Sequence, residues 1–450
     1  MLGVPEGVLY AGMVGFAEHW FVADAIRLGA SAVEKGLVVG LPLFVGAVGP
    51  MLVLRWLAAG TSRRALTIGF VVAQAAVLVG AALLDALGLQ TPRLLILSSC
   101  LYQICGQGST PAWASWYADL VPTPMRGKYF ARRTRAVQFS ICASMVAAGF
   151  VLQLLEPRTF AGSGAQAWWT GAAAPGRGFA ILFGAAALSR ILSAALLLLC
   201  PEPGFAGIAS TAKVMQFLRT SRGSNAWRLV ASTGVFYLTV YISSPFFMPF
   251  MVERLHFSYL WLMAALALQI ALKAALQGRF GAAIDRHGAR SVWILSALGC
   301  AIVPLPFAWA TGLPWVFASQ AFSGIAWGCF EVALFVLVLD TTFRATRPHA
   351  VAAQSVVNGF GQLAGSVVGA SFLALTDDSF RTLFAVSVAL RIAVALFLPR
   401  AVHPRRGRPS TGARELLLRV VGLAPSGGVA HGLEIAPRRP PPAAGGVETK

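Results

Sequence analysis

The stretch Gly281-Ala-Ala-Ile-Asp285-Arg286-His287-Gly288-Ala-Arg290 is a short charged interruption between two long apolar runs, roughly 258–280 and 290–311. About 20 consecutive apolar residues make a helix long enough to cross the hydrocarbon core of a bilayer. Gly288 permits a tight turn. Asp285 is able to cap a helix start and to pair with an arginine at the membrane surface. Two spans joined by a brief basic turn are therefore expected here.

The same reading repeats along the chain. Apolar runs bounded by polar or Gly/Pro residues fall at roughly 5–28, 34–57, 65–88, 94–119, 132–155 and 178–201, and again at 229–252, 258–280, 290–311, 313–339, 350–375 and 380–400. A membrane β-strand needs only about ten alternating residues, whereas these runs are longer and continuous. The expected fold is an all-α polytopic membrane protein of twelve transmembrane helices in two six-helix bundles. The expected domains are a first bundle over 1–203, a cytoplasmic linker over 204–228, a second bundle over 229–400 and a disordered basic cytoplasmic tail over 401–450.

Composition agrees with lipid as the solvent. Of the 450 residues 57% are hydrophobic and 12% are charged, against about 25% charged in ordinary globular domains. Mean hydropathy is +0.70. The net charge of +19 excludes nucleic acid as a partner by its placement, because the basic residues sit in short runs between spans and in the tail. With a cytoplasmic N-terminus the inner loops hold seventeen Lys or Arg and the outer loops seven. That asymmetry places both termini inside, in a multi-pass protein of the cell membrane, expected to be a bacterial inner membrane. The tail carries eight basic residues against three Glu and a proline-rich run over 437–442, a composition that does not build a core. Within it, 414–423 is able to form a short helix on anionic lipid. The six cysteines, Cys100, Cys105, Cys142, Cys200, Cys300 and Cys329, lie in or beside apolar runs and form no disulfide or metal framework. With only Met1 to Pro5 before the first run, that run is expected to be kept as a span.

The stretch 281–290 also follows the G-x-x-x-D-R-x-G-x-R pattern of the major facilitator superfamily, which the chain resembles. The resemblance makes Gly281, Asp285, Arg286, Gly288 and Arg290 a conformational latch, a pairing present in one arrangement of the halves only. In the first half Gly60-Thr-Ser-Arg63-Arg64 keeps the glycine and arginines, but Leu57 stands where the acid is expected. A second repeat joins the halves: Asp119 and Arg126 at the end of span four, Asp340 and Arg347 at the end of span ten, both seven apart. Tyr102 and Cys105 depart from the family's R-x-x-Q-G-x-G pattern, and span five lacks G-x-x-x-G-P. Multidrug antiport is correspondingly demoted. What the resemblance implies is a monomeric secondary transporter that moves a small solute by alternating access with protons, without cofactor or metal. The competing reading is a transporter-like receptor or assembly factor. A pump is unsupported, since Gly127-Lys128 is followed by Tyr129 and no phosphate loop occurs; an enzyme is unsupported, since no H-E-x-x-H occurs.

Ionisable residues within spans are costly and point to function. They are Glu18 and His19 on span one, Arg190 on span six, Lys273 on span eight, Glu331 on span ten and Arg391 on span twelve. By resemblance spans one, four, seven and ten line the cavity, which favours Glu18, His19 and Glu331 for proton coupling or substrate binding. An ionised carboxylate without a partner is expensive at the depth of Glu331, so a group that takes up and releases a proton is expected there. Lys273 is expected to snorkel to the interface, and Arg190 and Arg391 to stabilise each bundle. Gln103, Gln107, Tyr237, Tyr241, Gln269, Asn358 and Gln362 complete the site or, equally, pack helices together; Tyr237/Tyr241 and Asn358/Gln362 share helix faces at i, i+4. Gly36/Gly40 on span two and Gly361/Gly365/Gly369 on span eleven permit close approach. The resemblance makes these two helices meet across the halves. Pro245 and Pro249 are able to kink span seven.

The charge asymmetry generates a topological test. Cysteine reporters placed within 162–174 should react with an impermeant label from outside, and reporters within 210–224 from inside only. Labelling of both loops from one side would refute the six-plus-six reading.

Overall fold

The computed structural model describes residues 2–122, 125–155, 176–204, 214–342, 347–376 and 379–402. The expected tail and the loop over 162–174 lie outside these residues. The twelve spans appear in order. In the first half α1 comprises Gly3–Ala17 and Trp20–Arg27, α2 comprises Ala32–Gly46 and Val48–Ala58, and α3 is Arg63–Ala86; α4 is Pro92–Leu120, α5 Arg126–Leu155 and α6 Arg177–Leu198. In the second half α7 begins with Asn225–Tyr241 and continues irregularly to Arg254, α8 is Tyr259–His287 and α9 comprises Ala289–Ile302 and Leu305–Trp309; α10 is Leu313–Thr341, α11 Arg347–Leu375 and α12 Phe380–Ala401.

Local chemistry sets many of the starts. Ser31 and Glu34 form a reciprocal capping box on α2, and Ser62, Ser224 and Ser258 accept from backbone N–H groups three residues on in α3, α7 and α8. Thr91 caps α4 with Pro92 at its first position. Ten spans among the described residues are long and apolar enough to cross a bilayer. The other two are α1, which is broken at Glu18–His19, and α4, whose apolar character is diluted by Gln103, Gln107, Ser109 and Thr110. Leu83, Phe139, Leu188, Phe335, Leu375 and Phe397 project from the surface. In water so many exposed apolar side chains would drive association, so lipid must cover them.

The halves pack alike. α1 lies on α5 and α6, and α3 on α4 and α6; correspondingly α7 lies on α11 and α12, and α9 on α10 and α12. Across the halves α2 meets α11 and α5 meets α8, again as equivalent pairs. The largest apolar cluster joins both halves at one end, where Trp20, Phe21 and Phe179 of the first pack near Phe250, Tyr259 and Phe380 of the second. Trp20 and Phe179 both set their rings edge-on to Tyr259, at 5.9 and 6.0 Å. An ion pair from Lys35 on α2 to Glu253 at the end of α7 ties the halves at this end. Near the opposite end, among the described residues, the smaller clusters each stay within one half: Trp116, Tyr117 and Leu197 in the first, Phe217, Val230 and Ala353 in the second. The arrangement is closed at the end holding Gly29 and Phe257.

Three expectations need correction. The stretch 281–290 is helix as far as His287, and Gly288 (φ 81°) is the single hinge residue between α8 and α9, so Asp285 ends one helix and does not cap the next. The helix persists because Gly281-Ala-Ala-Ile contains no residue that stops it before Gly288 supplies the left-handed backbone. The linker region contains the helix Val214–Thr220, and α7 starts at Asn225, before the expected 229. Finally, the glycines of α11 face α7 of their own half: a Cβ on Gly361, Gly365 or Gly369 would lie 2.4, 2.2 or 2.0 Å from the carbonyl oxygens of Gly234, Leu238 and Ile242. Gly36 and Gly40 do meet α11 across the halves, but against Ser366 and Ala370.

Gly365→Ala must therefore push a backbone, while Gly281→Ala enters open space. The first should lower stability by about 1–3 kcal/mol and the second should be silent. Thermal unfolding in detergent followed by size exclusion measures both; equal melting of the two variants would contradict the α7–α11 contact.

Candidate substrate cavity

A cavity of about 560 Å³ lies between the halves, lined by residues of α1, α2, α7, α8, α9, α10, α11 and α12. Its α8 and α10 walls are drawn together by two glycines. A Cβ on Gly324 would lie 2.4 Å from the Gln269 carbonyl oxygen, and one on Gly328 would lie 3.0 Å from Lys273 Cγ. Gln269 and Lys273 follow one another at i, i+4 on α8, and Ser323, Trp327 and Glu331 do so on α10, so each set shares a face. The close crossing lets these faces pair. Gln269 Nε2 donates to Ser323 Oγ at 3.0 Å, and Lys273 forms an ion pair with Glu331.

This pair replaces two expectations. Glu331 is not without a partner, and Lys273 turns toward α10 and the cavity instead of snorkelling to the interface. Their side chains remain 37% and 47% exposed. Such a pair is accessible to a solute, and it is less costly than either charge alone in a low-dielectric wall.

The facing wall is α7. Tyr237 stacks on Trp327 with ring centroids 6.0 Å apart, and Tyr241 sits one turn on. After Tyr241 the helix breaks before resuming irregularly to Arg254. Arg391, fully buried on α12, holds this break. It donates through Nη2 to the Val240 carbonyl (2.6 Å) and Ser243 Oγ (2.7 Å), through Nη1 to the Cys300 carbonyl (3.1 Å) and through Nε to Ser387 Oγ (3.0 Å). All four acceptors are neutral. In the first half α1 breaks at the equivalent depth, and the Trp20 indole donates to the Gly15 carbonyl at 3.0 Å. The break aims His19 into the cavity.

Of the residues expected from sequence, His19, Tyr237, Tyr241, Gln269, Glu331 and Gln362 line the cavity. Glu18 is exposed next to it, within electrostatic reach of Tyr10, Tyr102 and Tyr241, but is not among its lining residues. Gln103, Gln107 and Asn358 do not line it either; Gln107 lies against Gly46 of α2, in helix packing. Gln320, Ser323 and Trp327 were not expected. The i, i+4, i+8 spacing of Ser323, Trp327 and Glu331 was the available signal. Arg190, the positional counterpart of Arg391, instead lies over the Tyr10 ring at 5.2 Å.

The charged repeats sit at the end opposite Gly29. Arg63 of α3 is buried and binds Asp119 (2.5 Å), the Ser115 and Pro203 carbonyls and, through its backbone N–H, Glu202 (2.8 Å). The acids missing at Leu57 are thus supplied by the ends of α4 and α6. Asp340 closes α10, and Arg126 and Arg347 begin α5 and α11, their side chains outside the described part. Asp285 and Arg286 are exposed, and Arg290 Nε donates to the Val402 carbonyl at 2.6 Å.

The Major Facilitator Superfamily family model matches residues 229–441. No curated protein sequence matches the chain. Among solved structures, a mutant of the nucleoside transporter NupG is 13% identical, with a TM-score of 0.70 over 90% of this chain and 100% of that one. The inward open xylose transporter XylE from E. coli is 15% identical, with a TM-score of 0.63 over 93% and 98%. An inward-facing, occupied bacterial homolog of the human lysosomal transporter Spinster is 15% identical, with a TM-score of 0.63 over 93% and 95%. At these identities the likeness is one of fold.

If Arg391 sustains the α7 break, Arg391→Met should strand the Val240 and Cys300 carbonyls at about 1–3 kcal/mol each. A clear fall in the melting temperature is expected, with no such fall for the exposed Arg286→Met. Unchanged melting of the Arg391 variant would show that the break does not depend on it.

Proposed function

We propose that the chain, whose residues 229–441 match the Major Facilitator Superfamily family model, is a secondary transporter of a small solute, working by alternating access and coupled to protons. The observation that carries the reading is the Lys273–Glu331 pair in the wall of a central cavity between the two halves. The cavity volume falls in the range of small-molecule sites, about 300–1,000 Å³. Closure at the Gly29 end together with separate clusters near the other end is one of the two arrangements alternating access requires. With both termini cytoplasmic it is the inward-facing one.

Glu331 is the proposed coupling residue. Ionised, it is held by Lys273; protonated, it releases the lysine to other partners. Since the cavity opens to one side at a time, proton occupancy and solute occupancy become linked through one ammonium group. The Lys35–Glu253 pair and the cross-half apolar cluster must separate when the closed end opens. Asp285, exposed in this arrangement, is then available for the latch pairing implied by the family resemblance.

In proteoliposomes, solute-dependent proton entry read by a trapped pH dye should identify a substrate. Glu331→Gln keeps size and hydrogen bonding but cannot titrate, so it should reduce accumulation driven by a pH gradient more than about tenfold while sparing counterflow of labelled solute. Glu18→Gln should retain accumulation. Retention of both activities in the Glu331 variant removes this residue from coupling; no solute movement by the wild type favours the receptor or assembly-factor reading.

A further inference from the structure

We infer that the solute is a small organic monoanion, a carboxylate on an apolar or aromatic body, which binds Lys273 in exchange for Glu331. This deepens the transporter reading and rests on it. The first ground is the charge balance of the cavity. Lys273 and Arg391 line it against a single carboxylate, Glu331. Arg391 spends its donors on two backbone carbonyls and two serine hydroxyls, none of which cancels its charge. In the lining alone one positive charge is left over, and Glu18, exposed beside the lining, is a further carboxylate within electrostatic reach of Tyr241. A bound carboxylate takes the place of Glu331 beside Lys273 and keeps that balance.

The second ground is geometry. Lys273 and Glu331 are both partly exposed to the cavity, so an incoming carboxylate can reach the ammonium group without unfolding either helix. Gly328 brings the lysine stem close against α10, one turn along α8 from Gln269, whose amide donates to Ser323. That pair offers neutral polar contact. The stacked Tyr237–Trp327 rings, with Leu266 and Met248, supply an apolar bed for the rest of the molecule.

The exchange balances. The substrate carboxylate gains the ion pair with Lys273; the Glu331 carboxylate loses it and takes one proton from the solvent facing the cavity, forming an O–H bond. One negative charge and one proton then travel together, so the loaded carrier moves no net charge. Lys273 from α8 pairs with Glu331, Tyr237 and Tyr241 from α7 and Cys300 from α9 lie within its electrostatic reach, and His19 from α1, Arg391 from α12 and the uncharged Gln362 from α11 line the same cavity, with Glu18 of α1 exposed beside it. Among them Lys273 alone forms an ion pair with Glu331.

Matched probes test this on the full-length protein in detergent: benzoate against benzamide, phenylacetate against phenylacetamide, and indoleacetate against indoleacetamide. At least one carboxylate should raise the melting temperature while its amide does not. Its binding should weaken as pH rises and, in weak buffer, take up about one proton per carboxylate. Glu331→Gln should bind that carboxylate roughly tenfold more tightly near neutral pH and lose the pH dependence, because the competitor is gone. Lys273→Gln should lose binding and Lys273→Arg should keep it. If Lys273→Gln does not fold, the doubly neutral K273Q/E331Q variant takes its place. Equal stabilisation by amides, stabilisation by no carboxylate, or binding retained without the lysine overturns the inference. Carboxylate binding without counterflow of the same compound in vesicles refutes the transporter reading alone, and counterflow of an amide refutes the anion alone.

Discussion

A helix that breaks inside hydrocarbon frees backbone groups that water cannot reach, and the break survives only where the protein supplies other partners. In α7 that partner is the Arg391 guanidinium, clamped on the Val240 carbonyl and the Ser243 hydroxyl. The cavity depends on it. A straight α7 would carry residues 242–254 onward at helical pitch, whereas the break redirects Ser244, Pro245, Phe247, Met248 and Met251 into the cavity wall. Pro245 and Pro249 make an unbroken helix costly in any case. The arginine makes the alternative affordable.

The same guanidinium has an electrostatic consequence. Buried cations in membrane proteins commonly find carboxylates, but the acceptors of Arg391 are neutral. Its charge therefore adds to that of the cavity. The hydrogen bonds of Arg391 to α7 and α9 agree with the expectation that it stabilises its bundle, and the same side chain also lines the cavity.

The fold was legible because bilayer thickness imposes a length on every span, and that length can be read without knowing any contact. Residues such as Ser62, Thr91, Ser224 and Ser258 marked helix starts by capping chemistry that is local in sequence. The site was only partly legible. Tyr237, Tyr241 and Glu331 could be picked as polar groups at membrane depth, but whether Glu331 is paired depends on how closely α8 and α10 approach. That distance is set by Gly324 and Gly328, whose effect appears only when another helix is beside them. Lys273 was misread for the same reason: one helix considered alone offers a lysine no destination but the interface. The glycines of α11 were assigned to the wrong neighbour, since small residues signal close approach without naming the partner.

The two halves repeat their packing but not their charge. Equivalent helices break at α1 and α7, and equivalent arginines, Arg190 and Arg391, stand on α6 and α12. Trp20 satisfies the α1 break without any cation, and Arg190 lies instead over the Tyr10 ring. In the second half the break uses the arginine itself, and a lysine–glutamate pair stands across from it. The first half lends the cavity His19, Val22 and Val39, an imidazole and two apolar side chains. A rocking motion that changes the contact between halves therefore need not separate Lys273 from Glu331, because both belong to one half. Under the proposed mechanism, coupling comes from which carboxylate occupies the lysine, that of the protein or that of the solute, while the other half controls which side of the membrane supplies the competitor.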